Sequence, residues 1–384
     1  MTQTEKSIKK INNIISELCE FIVEREEEIK GVFLAILSQK NLLFVGDPGI
    51  AKTMVVDNIA KRIVGAKYFE QAMHSQIKLE ELYGPISIRT LEKEDKLVHK
   101  TEGMLPEAHF AYLDEFWKSH SGAINSLLKV LNEKVFFNGG KPQQIPLMCL
   151  FSSSNEIPEE DDDLAAAYDR FLLKFNVRRV QDKESDLKMH LTNLLDKERE
   201  IKHTITLEAL QLLQKEVNKV KIGEDIIKTN FYIKRDIEKN LDGAYYINER
   251  TSVQSMRVVQ AQALLQGRDY VIDEDLEVLK HTYWDDPSQI KEVAKTIIST
   301  VSYDKSKLNE IREKLNTIEE FVKSDEDSPE ANIRKLSNIE RLKTEAMGLK
   351  TFLKSNGKST DEAEKLIGKL TSTAQDLFNA SYGG

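Results

Sequence analysis

An α/β fold is predicted for this chain: a five-stranded parallel sheet flanked by helices, followed by an all-helical lid and a helical C-terminal extension. Three observations predict it. Apolar runs at residues 42–45, 110–113 and 147–151 each lead into polar residues, as buried parallel strands do when their C-terminal ends border a ligand crevice. The first run continues into a glycine-containing loop and then a helical pattern. After Arg179 the β-like runs largely disappear, and Leu207, Leu210, Leu213, Val217 and Val220 form a one-sided stripe at helical spacing.

In chain order, Ile8, Ile11, Ile15 and Leu18 set out a first helix and residues 26–37 a second. Strands near 68–72 and over 171–177 join the three apolar runs to make five. Tyr83-Gly84-Pro85 breaks a helix, and the charged stretch 89–100 has little apolar content. Residues 73–105 are therefore a client-facing candidate, in which Leu82 and Tyr83 either reach a pore or partner surface or stay buried in a surface hairpin. A lid helix ends at Gln266-Gly267, and residues 272–280 begin another. Leu308, Ile311, Leu315, Ile318 and Val322 make a short heptad-like seam, broken by Asp325-Glu326-Asp327-Ser328-Pro329. Helices over 331–353 and 362–378, separated by Ser355-Asn356-Gly357, complete an intramolecular three-helix bundle. Three domains are expected: a nucleotide-binding core (1–180), the lid (181–287) and the extension (288–384).

The loop Gly46-Asp47-Pro48-Gly49-Ile50-Ala51-Lys52-Thr53 stands where strand passes into helix. The backbone N–H groups of such a loop, with the N-terminus of the next helix, surround an anionic phosphate chain. Lys52 would reach the β- and γ-phosphates of ATP, and the Thr53 hydroxyl would coordinate Mg²⁺. Ala51 stands where a second glycine is expected, which is tolerable if its backbone is right-handed rather than at positive φ. Asp47 beside phosphates is repulsive unless it points outward.

The second apolar run ends in Asp114-Glu115. Asp114 would order the water shell of the metal, and Glu115 would polarise a water for in-line attack on the γ-phosphate. Beyond the third run, Asn155 either holds that water or the γ-phosphate by its amide, or is an ordinary turn asparagine.

A net charge of -9 over 384 residues, with no basic stripe interleaved with aromatics, argues against a protein that tracks nucleic acid. The 40% apolar content suffices for real cores. Cys19 and Cys149 have no neighbouring His or Cys at metal-ligand spacing and are expected as core residues in a reducing cytosol. Residues 1–10 are polar, and no run approaches the roughly twenty apolar residues that span a bilayer. A soluble, cytoplasmic protein is expected, with Gly383-Gly384 as a frayed tail.

The chain resembles AAA+ ATPases of the MoxR group, and within it the RavA-type regulatory ATPases. The resemblance rests on Gly46 to Thr53, on Glu81-Leu82-Tyr83-Gly84-Pro85-Ile86-Ser87-Ile88 and on Gly103-Met104-Leu105-Pro106-Glu107-Ala108. It continues through Leu113-Asp114-Glu115-Phe116-Trp117-Lys118, Leu131-Asn132-Glu133, Ser154-Asn155-Glu156-Ile157-Pro158-Glu159 and Tyr168-Asp169-Arg170-Phe171. The family commonly carries alanine at the position of Ala51. The resemblance implies a homo-hexameric, Mg²⁺-dependent ATPase, cycling between ATP and ADP, that remodels or activates client proteins and works with a partner bearing a von Willebrand factor A domain. It implies that Arg170 projects into the nucleotide site of the neighbouring subunit; the alternative is an exposed arginine paired with Asp169 or with Asp161 to Asp163. It also implies that Arg250, in Asn248-Glu249-Arg250-Thr251-Ser252, touches the γ-phosphate in cis, with Arg257 as the fallback.

Insertions in the 73–105 region face the ring axis in this group. RavA-type proteins carry a β-rich module within their helical extension, where this chain has only the acidic break near Ser328-Pro329, so functions tied to that module are not expected. The alternative function is an ATP-gated scaffold whose extension recruits a partner while hydrolysis is incidental. A role on DNA is disfavoured by the charge balance.

Overall fold

The computed structural model describes residues 2–158, 162–194, 200–243, 245–301, 311, 314–315, 329–355 and 360–382. Its strands are β1 (Asn41–Val45), β2 (Ile63–Val64), β3 (Tyr68–Ala72), β4 (Phe110–Asp114), β5 (Val135–Asn138), β6 (Lys141–Gln144), β7 (Cys149–Ser154), β8 (Phe171–Asn176) and β9 (Ile205–Thr206). The expected five-stranded sheet is present, in the order β3-β4-β7-β1-β8, with every neighbouring pair parallel. Val45 is level with Ser154, and Leu113 with Ser152. The loops leaving β1, β4 and β7 therefore emerge side by side at one edge.

The third run was expected to end at residue 151, yet β7 continues through Ser154 with all three serines buried. Their hydroxyls are satisfied in place. Ser152 Oγ donates to the Leu113 carbonyl at 2.8 Å, Ser154 Oγ to the Glu156 carbonyl at 2.7 Å, and Ser153 Oγ to the Asp114 carboxylate. A serine so paired can stay in a buried strand, and Asn155 consequently follows the strand directly.

Helix Gln3–Cys19 opens with a Thr2–Glu5 capping box and buries Ile8, Ile11, Ile14, Ile15 and Leu18. Helix Glu26–Ser38 packs on β1 and β8. The leucine stripe of the lid becomes helix Leu207–Val217, capped by Thr206. Helix Glu249–Leu265 is capped by Asn248, whose Oδ1 accepts from the Thr251 N–H at 2.7 Å, and it packs on helix Glu26–Ser38.

Within the 73–105 region Tyr83 turns inward, which corrects the pore reading for that residue. It is 3% exposed, and its ring stacks on Phe136 of β5 at 4.7 Å and meets His99 edge-on. Its hydroxyl lies 3.0 Å from Ser126 Oγ, and burial pushes the phenol pKa up to about 12. Leu82 is also buried. An aromatic ring with a stacking partner and a bonded hydroxyl gains more from burial than from solvent. Leu79, Ile88, Leu91 and Leu97 are the large apolar side chains that face solvent here among the described residues, with Phe137 of β5 exposed as well.

The chain divides into two compact units, Met1–Ile222 with Leu241–Val293, and Gly223–Asn240 with Ala294–Gly384. These limits follow packing and differ from the motif-based boundaries at 180 and 287. In the second unit, Ile311 and Leu315 of the expected seam are buried with Ile339, Leu342, Leu349, Leu366 and Leu370, between helices Pro329–Ser355 and Asp361–Tyr382. Leu308, Ile318, Val322, the acidic break up to Ser328, Asn356-Gly357 and Gly383-Gly384 lie outside the described residues.

Candidate nucleotide site at the strand ends

Gly46 leaves β1 with its N–H on the Ser154 carbonyl at 3.0 Å. A Cβ at Gly46 would lie 2.3 Å from the Val177 carbonyl oxygen, so this close approach of two strand ends admits only glycine. At Gly49, φ is +77° and an added Cβ would meet nothing within 4 Å, which leaves the crest of the loop open to a group approaching its backbone. Ala51 does not meet the right-handed condition under which an alanine is tolerated here without strain. It sits at φ 69° and ψ 19°, a left-handed conformation that costs a non-glycine residue about 1–2 kcal/mol. Asp47 does point away from the loop, paired with Arg179 at 2.9 Å between exposed side chains.

Lys52 opens helix Lys52–Ala60 and is 8% exposed. Its Nζ donates to Asn155 Oδ1 at 2.9 Å, to the Asp47 carbonyl at 3.0 Å and to the Gly46 carbonyl. All three acceptors are neutral. Burial holds the ammonium below its ordinary pKa, opposed by the charges of Glu115, Asp114 and Asp47. A desolvated cation held by neutral oxygens at the mouth of an open loop suits an incoming phosphate chain.

Asn155 joins the loop to the acids. Its Nδ2 donates to Glu115 Oε1 at 2.8 Å while its Oδ1 receives Lys52. Lys118 holds the other Glu115 oxygen at 3.1 Å. Glu115 itself is left-handed at φ 55°, a strained backbone of the kind that gathers at functional sites. Thr53 and Asp114, the two expected metal ligands, meet at one hydroxyl: Thr53 Oγ1 is 3.0 Å from Tyr112 OH, which is 3.4 Å from Asp114 Oδ1. Hard oxygen donors converging in this way fit Mg²⁺ together with phosphate oxygens and water.

Tyr112, Ser153, Lys118 and Arg25 were missed by sequence reasoning. Tyr112 had a signal, since it lies two residues before Asp114 and strand periodicity puts both on one face. Arg25 had none. Its Nε donates to the Ile50 carbonyl at 3.3 Å and its Nη2 to the Arg178 carbonyl at 2.5 Å, strapping the N-terminal segment to the loop and to the exit of β8. Beside this strap is a cleft of about 620 Å³ lined by Ile22, Val23, Ile50, Met54, Val180 and Met189 among others, a size and character that suit a nucleoside.

Arg170 and Arg250 are brought to each other but not to the loop. Both bind Asp169 Oδ2, at 2.7 and 3.1 Å. The Arg170 carbonyl accepts from Asn41 Nδ2 at 3.2 Å, and Asn41 begins the strand whose far end, Val45, leads into Gly46. Four residue steps separate Asn41 from Val45, about 13 Å at strand rise. Arg250, paired with Asp169, thus lies near the start of β1, away from the phosphate loop that follows its far end. Arg170 has the Asp169 partner of its alternative reading, while its buried Nε has no hydrogen-bond partner among the described residues.

A parallel α/β core with a phosphate loop, paired acids and a polar strand end meeting at one edge, followed by a helical lid, defines the AAA+ class. A family model described as the MoxR domain in the MoxR-vWA-beta-propeller ternary systems matches residues 9–221, and one for an AAA lid domain matches residues 225–297. An uncharacterized protein of Methanocaldococcus jannaschii is 39% identical over 288 residues, 75% of this chain and 73% of that protein. Chaperone MoxR1 of Mycobacterium tuberculosis is 24% identical over 291 residues, 71% of this chain and 74% of that protein. A solved structure from Cytophaga hutchinsonii, described as a candidate ATPase, shares the fold with a TM-score of 0.63 at 20% identity, covering 78% of this chain and 96% of its own. The chain belongs to the MoxR family of AAA+ ATPases. Among the described residues no helix is long and apolar enough to cross a membrane.

Proposed function

We propose that this chain hydrolyses Mg-ATP as a cytoplasmic homo-hexameric ring and uses the cycle to remodel or activate partner proteins. The observation that carries the proposal is the continuous bond path Lys52–Asn155–Glu115, which ties the phosphate loop to the candidate base. In it Lys52 binds the β- and γ-phosphates, and Glu115, once released from Lys118, accepts a proton from the attacking water that Asn155 orients. Thr53 and Asp114 hold Mg²⁺, which supplies charge neutralisation on the phosphates.

Arg170 and Arg250 act in this proposal on the nucleotide of the neighbouring subunit. Their place at the edge opposite the loop supports a role in trans, where guanidinium groups neutralise charge on the transferring phosphoryl group. Core, lid and extension are taken as residues 1–180, 181–287 and 288–384, with the lid converting phosphate state into movement. The matching family description names systems with vWA and β-propeller components, and a protein with a von Willebrand factor A domain is the proposed partner.

Steady-state turnover of ATP by the purified chain, with Mg²⁺ and with a chelator, and with and without the vWA protein encoded nearest to it, tests the proposal. Turnover should require the metal and change with the partner. A folded sample that retains no adenine nucleotide when magnesium is supplied would end it.

A further inference from the structure

Four cations converge at the sheet edge opposite the phosphate loop. Lys40 precedes β1 and Lys134 precedes β5, while Arg250 and Arg257 lie seven residues apart on helix Glu249–Leu265, two turns along one face. Arg250 has Asp169, which it shares with Arg170. Lys134 Nζ and Arg257 Nη1 donate to neutral acceptors, Asn41 Oδ1 at 3.3 Å and Gln260 Oε1 at 2.9 Å. Among the described residues no carboxylate lies within ion-pair distance of Lys40, Lys134 or Arg257. Burial and the charges of Arg257 and Arg250 hold Lys40 below its ordinary pKa, and Lys134 is lowered by burial and by Lys40, against an opposing effect of Cys149.

Lys40 and Arg257, but not Lys134 or Arg250, line a polar cavity of about 210 Å³, together with Gln39, Gln214, Asn218, Leu37 and Ser38. Its wall is fixed in place. Gln214 is 6% exposed, donates to the Ile36 carbonyl at 2.7 Å and accepts from Gln39 Nε2 at 3.0 Å. Like charges gathered into a partly desolvated cavity repel one another, and a bound anion relieves that repulsion.

We propose that this cavity binds a phosphate-type oxyanion, with Lys40 and Arg257 as its direct ligands. The guanidinium supplies a planar fork and the ammonium a point charge, a pairing suited to phosphate oxygens. The volume falls below the roughly 300 Å³ at which pockets for larger ligands begin, so a phosphate or pyrophosphate group fits and a whole nucleotide does not. Two sources share this chemistry: a free phosphate compound, and the phosphate chain of a nucleotide presented by an adjoining subunit. Only the second source rests on the ring proposed above.

The test is titration calorimetry of pyrophosphate and of inorganic phosphate into the full-length Lys52→Ala protein, whose phosphate loop is disabled, against chloride at matched ionic strength. Saturable binding that chloride does not reproduce, weakened about tenfold or more by Arg257→Gln and by Lys40→Gln, supports the site and identifies a free oxyanion. Should pyrophosphate not bind, nucleotide release is measured on the assembled protein. Release that Arg257→Gln and Lys40→Gln each accelerate, in assemblies of unchanged size, assigns the site to the adjoining subunit's phosphates. Variants that fold, as judged by circular dichroism, and behave like the parent in both measurements overturn the proposal, as does binding equalled by chloride. Neither outcome of the calorimetry depends on ATP hydrolysis.

Discussion

At the scale of single residues, the phosphate loop holds strain that its sequence concealed. Ala51 lies in a left-handed conformation that glycine adopts without penalty. Ala51→Gly should raise stability by about 1 kcal/mol, read as a higher denaturant midpoint at unchanged slope, and an unchanged or lower midpoint would show that the loop relaxes around the methyl. Glu115→Gln keeps an amide oxygen for Asn155 but loses both the base and the Lys118 ion pair. That variant should bind ATP and hydrolyse it at least about 10²-fold more slowly. Asp114 and Glu115 were legible in the sequence because they stand where an apolar run stops, Lys52 and Thr53 because they close a glycine-containing loop between a strand and a helix, and Asn155 because it follows a third apolar run through a short polar stretch. Ser153 and Arg25 were not, because their roles arise from contacts between segments far apart in the chain, and Tyr112 was overlooked although strand period places it on the face of Asp114.

At the scale of elements, packing decided what periodicity left open. Tyr83 could face a pore or a core, and the stack on Phe136 with the Ser126 bond settles it inward. Tyr83→Ala should cost about 3–5 kcal/mol and Tyr83→Phe about 1 kcal/mol in thermal unfolding. Equal, negligible losses would contradict a core role. The first helix is tied to the rest by Glu17 and Arg62, which pair at 2.7 Å with side chains 8% and 2% exposed. Burial pushes the Glu17 carboxyl up, but the hydrogen bond and charge of Arg62 and the N–H groups of Lys202 and His203 outweigh it and leave the pKa below the ordinary 4.5. The stability it contributes is therefore complete above the unfolded carboxyl's pKa and is lost as pH falls through the lower folded value. Glu17→Gln should be about 3–5 kcal/mol less stable than wild type at pH 7, with the gap narrowing below pH 4.5.

At the scale of the whole molecule, the two candidate arginines define a demand on assembly. Arg170 and Arg250 share Asp169 at the edge away from the loop, so in the proposed ring one protomer completes the site of the next. Turnover per protomer should rise with protein concentration together with particle mass, and Arg170→Ala should lower it by about 10³-fold while nucleotide binding persists. A monomer with undiminished turnover would contradict the role in trans.

By itself the sequence determined the α/β core, its five strands and the helical lid, and nominated candidate reactive side chains, because apolar period and strand-end chemistry are local properties written along the chain. Only the tertiary structure decided the handedness at Ala51, the burial of Tyr83, the bridging place of Asn155 and the removal of Arg250 from its own phosphate loop. Those depend on which strand ends lie side by side and which lie a strand's length apart, and that is fixed when distant segments pack into one sheet.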